Sequence, residues 1–228
     1  MKKVAVLLDG AYVRYTLYRF LDGPPSDVHI ERYAQSCVKP EEELFRIYYY
    51  DCLPFDEQRL NPVSRTYMDF KQTEAYRKSM NLIQGLEVKD YFAVRLGNLA
   101  FKDWRISNYA FNRLCDASME GRTLEPLSPQ DLQPDFTQKG VDMKIGLDIA
   151  WLSTKHLVDK IVLSTNDSDF VPAMKYSRRE GINVVLMALG DVSNMLKAHA
   201  DEIRSVDMDR VRGQQSYQSA QASQTQQS

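Results

Sequence analysis

Three short apolar runs, each broken off by acidic or turn residues, constrain this chain more than any other feature. Residues 4–8 (VAVLL) meet Asp9 and Gly10, residues 160–165 (KIVLST) lead into Asn166, Asp167, Ser168 and Asp169, and residues 183–188 (NVVLMA) run toward Gly190. A run that is apolar throughout, rather than alternating, reads as a strand buried on both faces. Between these runs lie stretches of helical character, and strands alternating with helices imply right-handed crossovers and a mostly parallel sheet with helices on both faces. In such sheets ligands bind outside the carboxyl ends of the strands. Asp9 and Asp167 both fall just past such an end.

The remaining elements follow from periodicity and from breakers. Residues 12–20 predict a helix stopped by Gly23-Pro24-Pro25, and residues 44–50 (LFRIYYY) a strand that ends near Pro54. A long polar helix is expected over 64–83, then a strand over 91–96 closed by Gly97. Residues 98–138 give no clear period; they hold basic and aromatic residues and a loop over 126–134. Further helices are expected over 141–156, 170–180 and 192–198, and a short edge strand over 203–206. These elements form one α/β domain over residues 1–212, and the uncharged Gln- and Ser-rich stretch 213–228 is expected to be disordered, having too little apolar surface to bury.

Ionised carboxylates at the rim of a hydrophobic core are costly unless they are paired or hold a cation. Several of them meeting at one strand-end crevice point to a hard cation, Mg²⁺ or Mn²⁺. Asp142 opens the helix over 141–156 on the side of Ile145 and Ile149, where a first-turn carboxylate is favoured by the helix dipole and can lean over the strand ends. Asp148 is turned roughly 120° from it along the same helix, which gives it a solvated or supporting role. Of Asp167 and Asp169, one can serve as a helix N-cap.

Charge limits how nucleic acid could be held. The net charge is −2 and the sequence pI about 6.0, so binding must come from a local basic patch or through metal ions. The three cysteines lack metal-ligand spacing and predict reduced thiols in a cytoplasmic protein. The first apolar run is too short for a signal peptide, and no run reaches membrane-spanning length.

The blocks VAVLLDG at 4–10, RLG at 95–97, KGVDMKIGLD at 139–148 and STNDSDFVP at 164–172 resemble the NYN domains of the PIN-like nuclease superfamily, in particular a bacterial branch related to LabA-type proteins. The resemblance spans about residues 3–190. It implies a three-layer PIN-like (Rossmann-like) fold and an acidic cluster that binds Mg²⁺ or Mn²⁺ for phosphodiester hydrolysis, mostly of RNA. Matched residue by residue, the family's metal-binding acids fall on Asp9, Asp142, Asp167 and Asp169, and the polar residue before the DSD triplet on Asn166. Many members carry Asn three residues after the first Asp. This chain has Tyr12 there, and a phenol cannot reproduce both hydrogen-bonding functions of an amide.

A metal-activated water needs no protein nucleophile, and His29, His156 and His199 sit in unrelated contexts. Arg95, Lys102 and Arg105 flank the aromatics Phe101 and Trp104, a mixture suited to a single strand or a loop of RNA; Lys139, which opens the KGVD block, is a further candidate contact. The expected activity is thus metal-dependent ribonuclease. The alternatives are an RNA-binding or regulatory module with weak catalysis, and a nucleotide-hydrolysing enzyme using the same acids.

Overall fold

A computed structural model describes residues 1–21 and 23–213; residues 214–228, where the disordered tail is expected, lie outside the described residues. In chain order the first half of the chain forms β1 (Lys2–Asp9), α1 (Gly10–Leu21), α2 (Asp27–Ser36), β2 (Glu42–Leu53), β3 (Gln58–Leu60), β4 (Tyr67–Asp69), α3 (Glu74–Glu87) and β5 (Phe92–Ile106). The second half adds α4 (Asn108–Met119), β6 (Leu132–Lys139), α5 (Val141–Thr154), β7 (Lys160–Ser164), α6 (Val171–Arg179), β8 (Asn183–Ala188), α7 (Asn194–His199), β9 (Glu202–Ser205) and α8 (Met208–Arg212). The fold is α/β with a seven-stranded, mostly parallel sheet of order β6-β5-β2-β1-β7-β8-β9. Strands β2, β1, β7, β8 and β9 run parallel, whereas β5 and β6 pair antiparallel.

The described residues divide into two compact units. The first holds Met1–Asp51, Leu82–Leu96 and the chain from Gly140 onward. Its centre is β1, whose residues Val4 to Leu8 are fully buried. Alternate side chains serve opposite faces. Val4, Val6 and Leu8 pack with Val13 and Leu17 of α1, Ile30 and Tyr33 of α2, and Val211 of α8. This explains why the run reads apolar throughout.

The second unit holds Cys52–Asn81 and Gly97–Lys139. Its small core is a cluster of rings, Phe55, Phe70, Phe101, Trp104 and Phe136, with centroids 5.3–6.2 Å apart. The Arg59 guanidinium lies over Phe55 and Phe101.

Two expectations are corrected here. The polar helix expected over 64–83 begins only at Glu74, because Tyr67–Asp69 pairs antiparallel with Gln58–Leu60. Asp69 then caps a 3₁₀ turn through Lys71 N–H, and Thr73 Oγ1 accepts from Tyr76 N–H to start α3. The strand expected to close at Gly97 runs on to Ile106 and pairs with β6, so the stretch without a clear period holds an antiparallel strand pair with α4 between its strands.

Candidate metal centre at the carboxyl ends of β1 and β7

β1 and β7 are hydrogen-bonded parallel neighbours with Leu8 opposite Ser164, so the chain leaves both strands at one level. Asp9 follows Leu8 and Thr165 follows Ser164, and the Thr165 hydroxyl donates to Asp9 Oδ2 at 2.9 Å. The same hydroxyl accepts from Asp167 N–H at 3.2 Å. Buried Thr165 therefore ties the two strand ends, and the two acids, together. On its other oxygen Asp9 accepts from Tyr12 N–H at 3.3 Å, an N-terminal amide of α1. Gly10 makes this turn possible: a Cβ there would stand 2.5 Å from Tyr50 O and 2.8 Å from the Tyr49 ring.

The segment after β7 turns sharply. Asp167 Oδ1 accepts from Asp169 N–H at 2.9 Å and caps the 3₁₀ turn Ser168–Phe170, which feeds directly into α6. Of the two acids, then, Asp167 is the one that caps. Asp142 lies at the surface in the first turn of α5, behind Gly140, whose left-handed φ of +83° opens that helix without strain.

The acids feel one another. Burial, opposed by the Thr165 and Tyr12 hydrogen bonds and reinforced by the Asp142 charge, raises the pKa of Asp9 from its ordinary value. Partial burial, with the charges of Asp167 and Asp169, raises Asp142. Asp142 is thus the common electrostatic neighbour of the other three. Among the described residues, no group of three or more His, Cys, Asp or Glu side chains stands in an arrangement that would itself hold a metal ion. The donor set is nonetheless all carboxylate oxygen, and the ionised forms of Asp9 and Asp142 are disfavoured by burial and repulsion. Both properties suit a hard divalent cation.

Of the remaining candidates, Asp148, Arg95, Tyr12 and Asn166 have other partners. Asp148 accepts from Tyr50 O–H at 2.9 Å and pairs with Arg95 at 3.3 Å, so these two engage each other. Tyr12 donates its hydroxyl to Leu189 O at 2.9 Å, joining α1 to the end of β8. Asn166 Oδ1 accepts from Ser193 N–H at 2.8 Å, which fixes the amide at the turn after β7. Lys102 and Arg105 are exposed on β5, and Lys139 is exposed at the end of β6, all in the second unit. Phe101 and Trp104 pack into that unit's ring cluster. Sequence reasoning missed Thr165. Its signal was a hydroxyl one residue past a buried strand, opposite the residue that follows the neighbouring strand.

Residues 97–207 match the family model for the NYN domain, which belongs to the PIN-like nuclease superfamily. No curated protein matches the chain. Among solved structures, one match is a crystal structure of a protein of unknown function from Vibrio parahaemolyticus, 18% identical, with a TM-score of 0.49, covering 91% of this chain and 94% of that one. Among the described residues no helix is long and apolar enough to cross a membrane.

Proposed function

We propose that this chain, whose residues 97–207 match the NYN domain of the PIN-like nucleases, is a divalent-metal-dependent ribonuclease. The observation that carries this reading is the linkage of Asp9 and Asp167 through one buried hydroxyl at adjacent strand ends, with Asp142 in electrostatic reach. Asp9, Asp142, Asp167 and Asp169 would hold Mg²⁺ or Mn²⁺, which supplies an activated water and neutralises charge on the scissile phosphate. The chain's own contribution is orientation. Thr165 and the Tyr12 amide fix both oxygens of Asp9, and the Ser168–Phe170 turn fixes Asp167. The substrate is RNA in single-stranded or loop form, and the setting is cytoplasmic.

One observation favours a second reading, an RNA-binding or regulatory module of weak activity. No three described acids stand in a ligating arrangement, and Tyr12 supplies its backbone amide, not a side-chain amide, to Asp9. Incubation with labelled single-stranded RNA, single-stranded DNA, RNA duplex and free nucleotides, each in Mn²⁺ and in EDTA, separates the readings. The proposal expects Mn²⁺-dependent cleavage of single-stranded RNA. Binding without cleavage would support the module, and release of phosphate from free nucleotides would support a nucleotide hydrolase.

A further inference from the structure

A cleft of about 510 Å³ opens beside the aspartates, lined by Tyr12, Tyr15, Thr16, Arg19 and Phe20 of α1 and by the turns after β7 and β8. It shares two residues with the metal centre's surroundings. Tyr12 gives its N–H to Asp9 and its O–H to Leu189 O at the cleft's edge. Asn166, directly before Asp167, also lines it. We propose that this cleft binds the nucleotide next to the scissile phosphate, taking its unpaired base against the α1 aromatics.

The inference rests on the nuclease reading for its substrate, and on the following observations for its location. Tyr12, Tyr15, Thr16, Arg19 and Phe20 follow helical spacings of three and four residues, so one face of α1 presents rings and a guanidinium together. Tyr15 is 66% exposed, although it lies on a helix whose opposite side is fully buried in Val13 and Leu17. A ring left in water beside a cleft is a ready surface for a base, and stacking of this kind tolerates any base. The volume is in the range of small-ligand pockets. Asn166 has its amide oxygen committed to Ser193 N–H, so the group it can offer a ligand's acceptors is its NH₂. Gly190 lines the opposite side with φ +75°, and a Cβ there would meet nothing within 4 Å. Arg19 supplies positive charge for a phosphate. The acidic rim residue Asp191 is balanced by Lys197 at 3.8 Å. The larger cleft, about 720 Å³ beside Arg178 and His199, lies by Asn183 at the start of β8, whereas this one lies past that strand's end, on the side of the aspartates.

The test is NMR titration of the full chain in EDTA with AMP, UMP and ribose 5-phosphate. AMP and UMP should shift the amide signals of residues 12–20 and 189–191, and ribose 5-phosphate should bind about tenfold more weakly because it lacks a base. Tyr15→Ala and Arg19→Glu, both surface changes, should each weaken AMP about tenfold or more, while Lys175→Ala, at the other cleft, leaves it unchanged. In the cleavage assay Tyr15→Ala should raise KM for single-stranded RNA more than it lowers kcat. No shifts at these residues, equal binding of ribose 5-phosphate, or full AMP affinity in both variants would overturn the proposal. The two readings fail separately. AMP binding without any Mn²⁺-dependent RNA cleavage keeps the cleft and removes the nuclease; cleavage with unchanged KM in Tyr15→Ala does the reverse.

Discussion

Thr165 carries more of the proposed centre than its place in the sequence suggests. Its hydroxyl donates to Asp9 and accepts from the Asp167 amide, so one side chain sets the positions of two acids. Thr165→Val keeps the shape and removes the hydroxyl. The Asp9 carboxylate then loses a contact that lowers its pKa, and a charge-assisted hydrogen bond contributes about 1.5–3 kcal/mol. The expected outcome is a further rise of the Asp9 pKa, read from the carboxyl ¹³C shift, with weaker Mn²⁺ binding. An unchanged Asp9 titration would contradict it. Gly10 is decisive for a different reason. Because a Cβ would meet Tyr50 O and the Tyr49 ring, Gly10→Ala should destabilise the fold by about 1–3 kcal/mol, the usual range for overpacking. Denaturant melts check this, and a neutral result would show that the β1–α1 turn relaxes freely.

At the scale of elements, the strands are held at their amino ends by a buried ion network remote from the acids. Arg204 of β9 donates to Glu42 of β2 at 2.6 and 2.8 Å, to Glu202 at 2.9 and 3.0 Å, and to Cys37 O at 2.9 Å, while Lys160 of β7 donates to Glu42 at 2.7 Å. Although burial alone would raise Glu42, its Arg204 and Lys160 partners hold it down to about 2, and Glu202 sits at about 2. A carboxylate lowered by folding stabilises above its ordinary pKa, and that contribution is lost as pH falls from the ordinary carboxylate range through about 2. Glu42→Gln leaves Arg204 buried with fewer counter-charges. It should destabilise by about 3 kcal/mol at neutral pH and flatten the acid limb of the stability curve. Melts across pH 2–6 check both, and an unchanged acid limb would place the pH dependence elsewhere.

β1, β7 and β8 were readable from the sequence because both of their faces are buried, so apolar residues run without interruption. α5, α6 and the acids followed from their position at the strand ends. The hairpin Gln58–Leu60 with Tyr67–Asp69 was not readable, because its strands are three residues long and leave Leu60, Tyr67 and Met68 exposed, so burial imposes no alternation on them. The path of β5 past Gly97 was hidden by a glycine that reads as a stop yet sits buried inside a strand. Thr165 escaped because its role depends on the register between β1 and β7, which no local pattern encodes.

For the whole molecule, an overall charge of −2 leaves little sequence-independent attraction for a phosphate backbone, so in the proposed function metal ions and local groups provide it. Asp9 and Asp142 carry electrostatic strain. Asp9 and Asp142 are raised, so their ionised forms work against folding as pH rises through their raised range, and a bound cation offsets this. Asp142→Asn should therefore melt at the wild-type temperature or above without metal, and lose most of the stabilisation that Mn²⁺ gives the wild type. Thermal melts with and without Mn²⁺ check this; strong destabilisation of the metal-free variant would make Asp142 a structural residue. The most direct measurement is cleavage of labelled single-stranded RNA by the wild type and by folded Asp142→Asn, in Mn²⁺ and in EDTA. The account predicts cleavage by the wild type in Mn²⁺ only, and a rate lower by roughly a hundredfold or more in the variant. Equal rates in the two proteins, or wild-type cleavage that persists in EDTA, would contradict it.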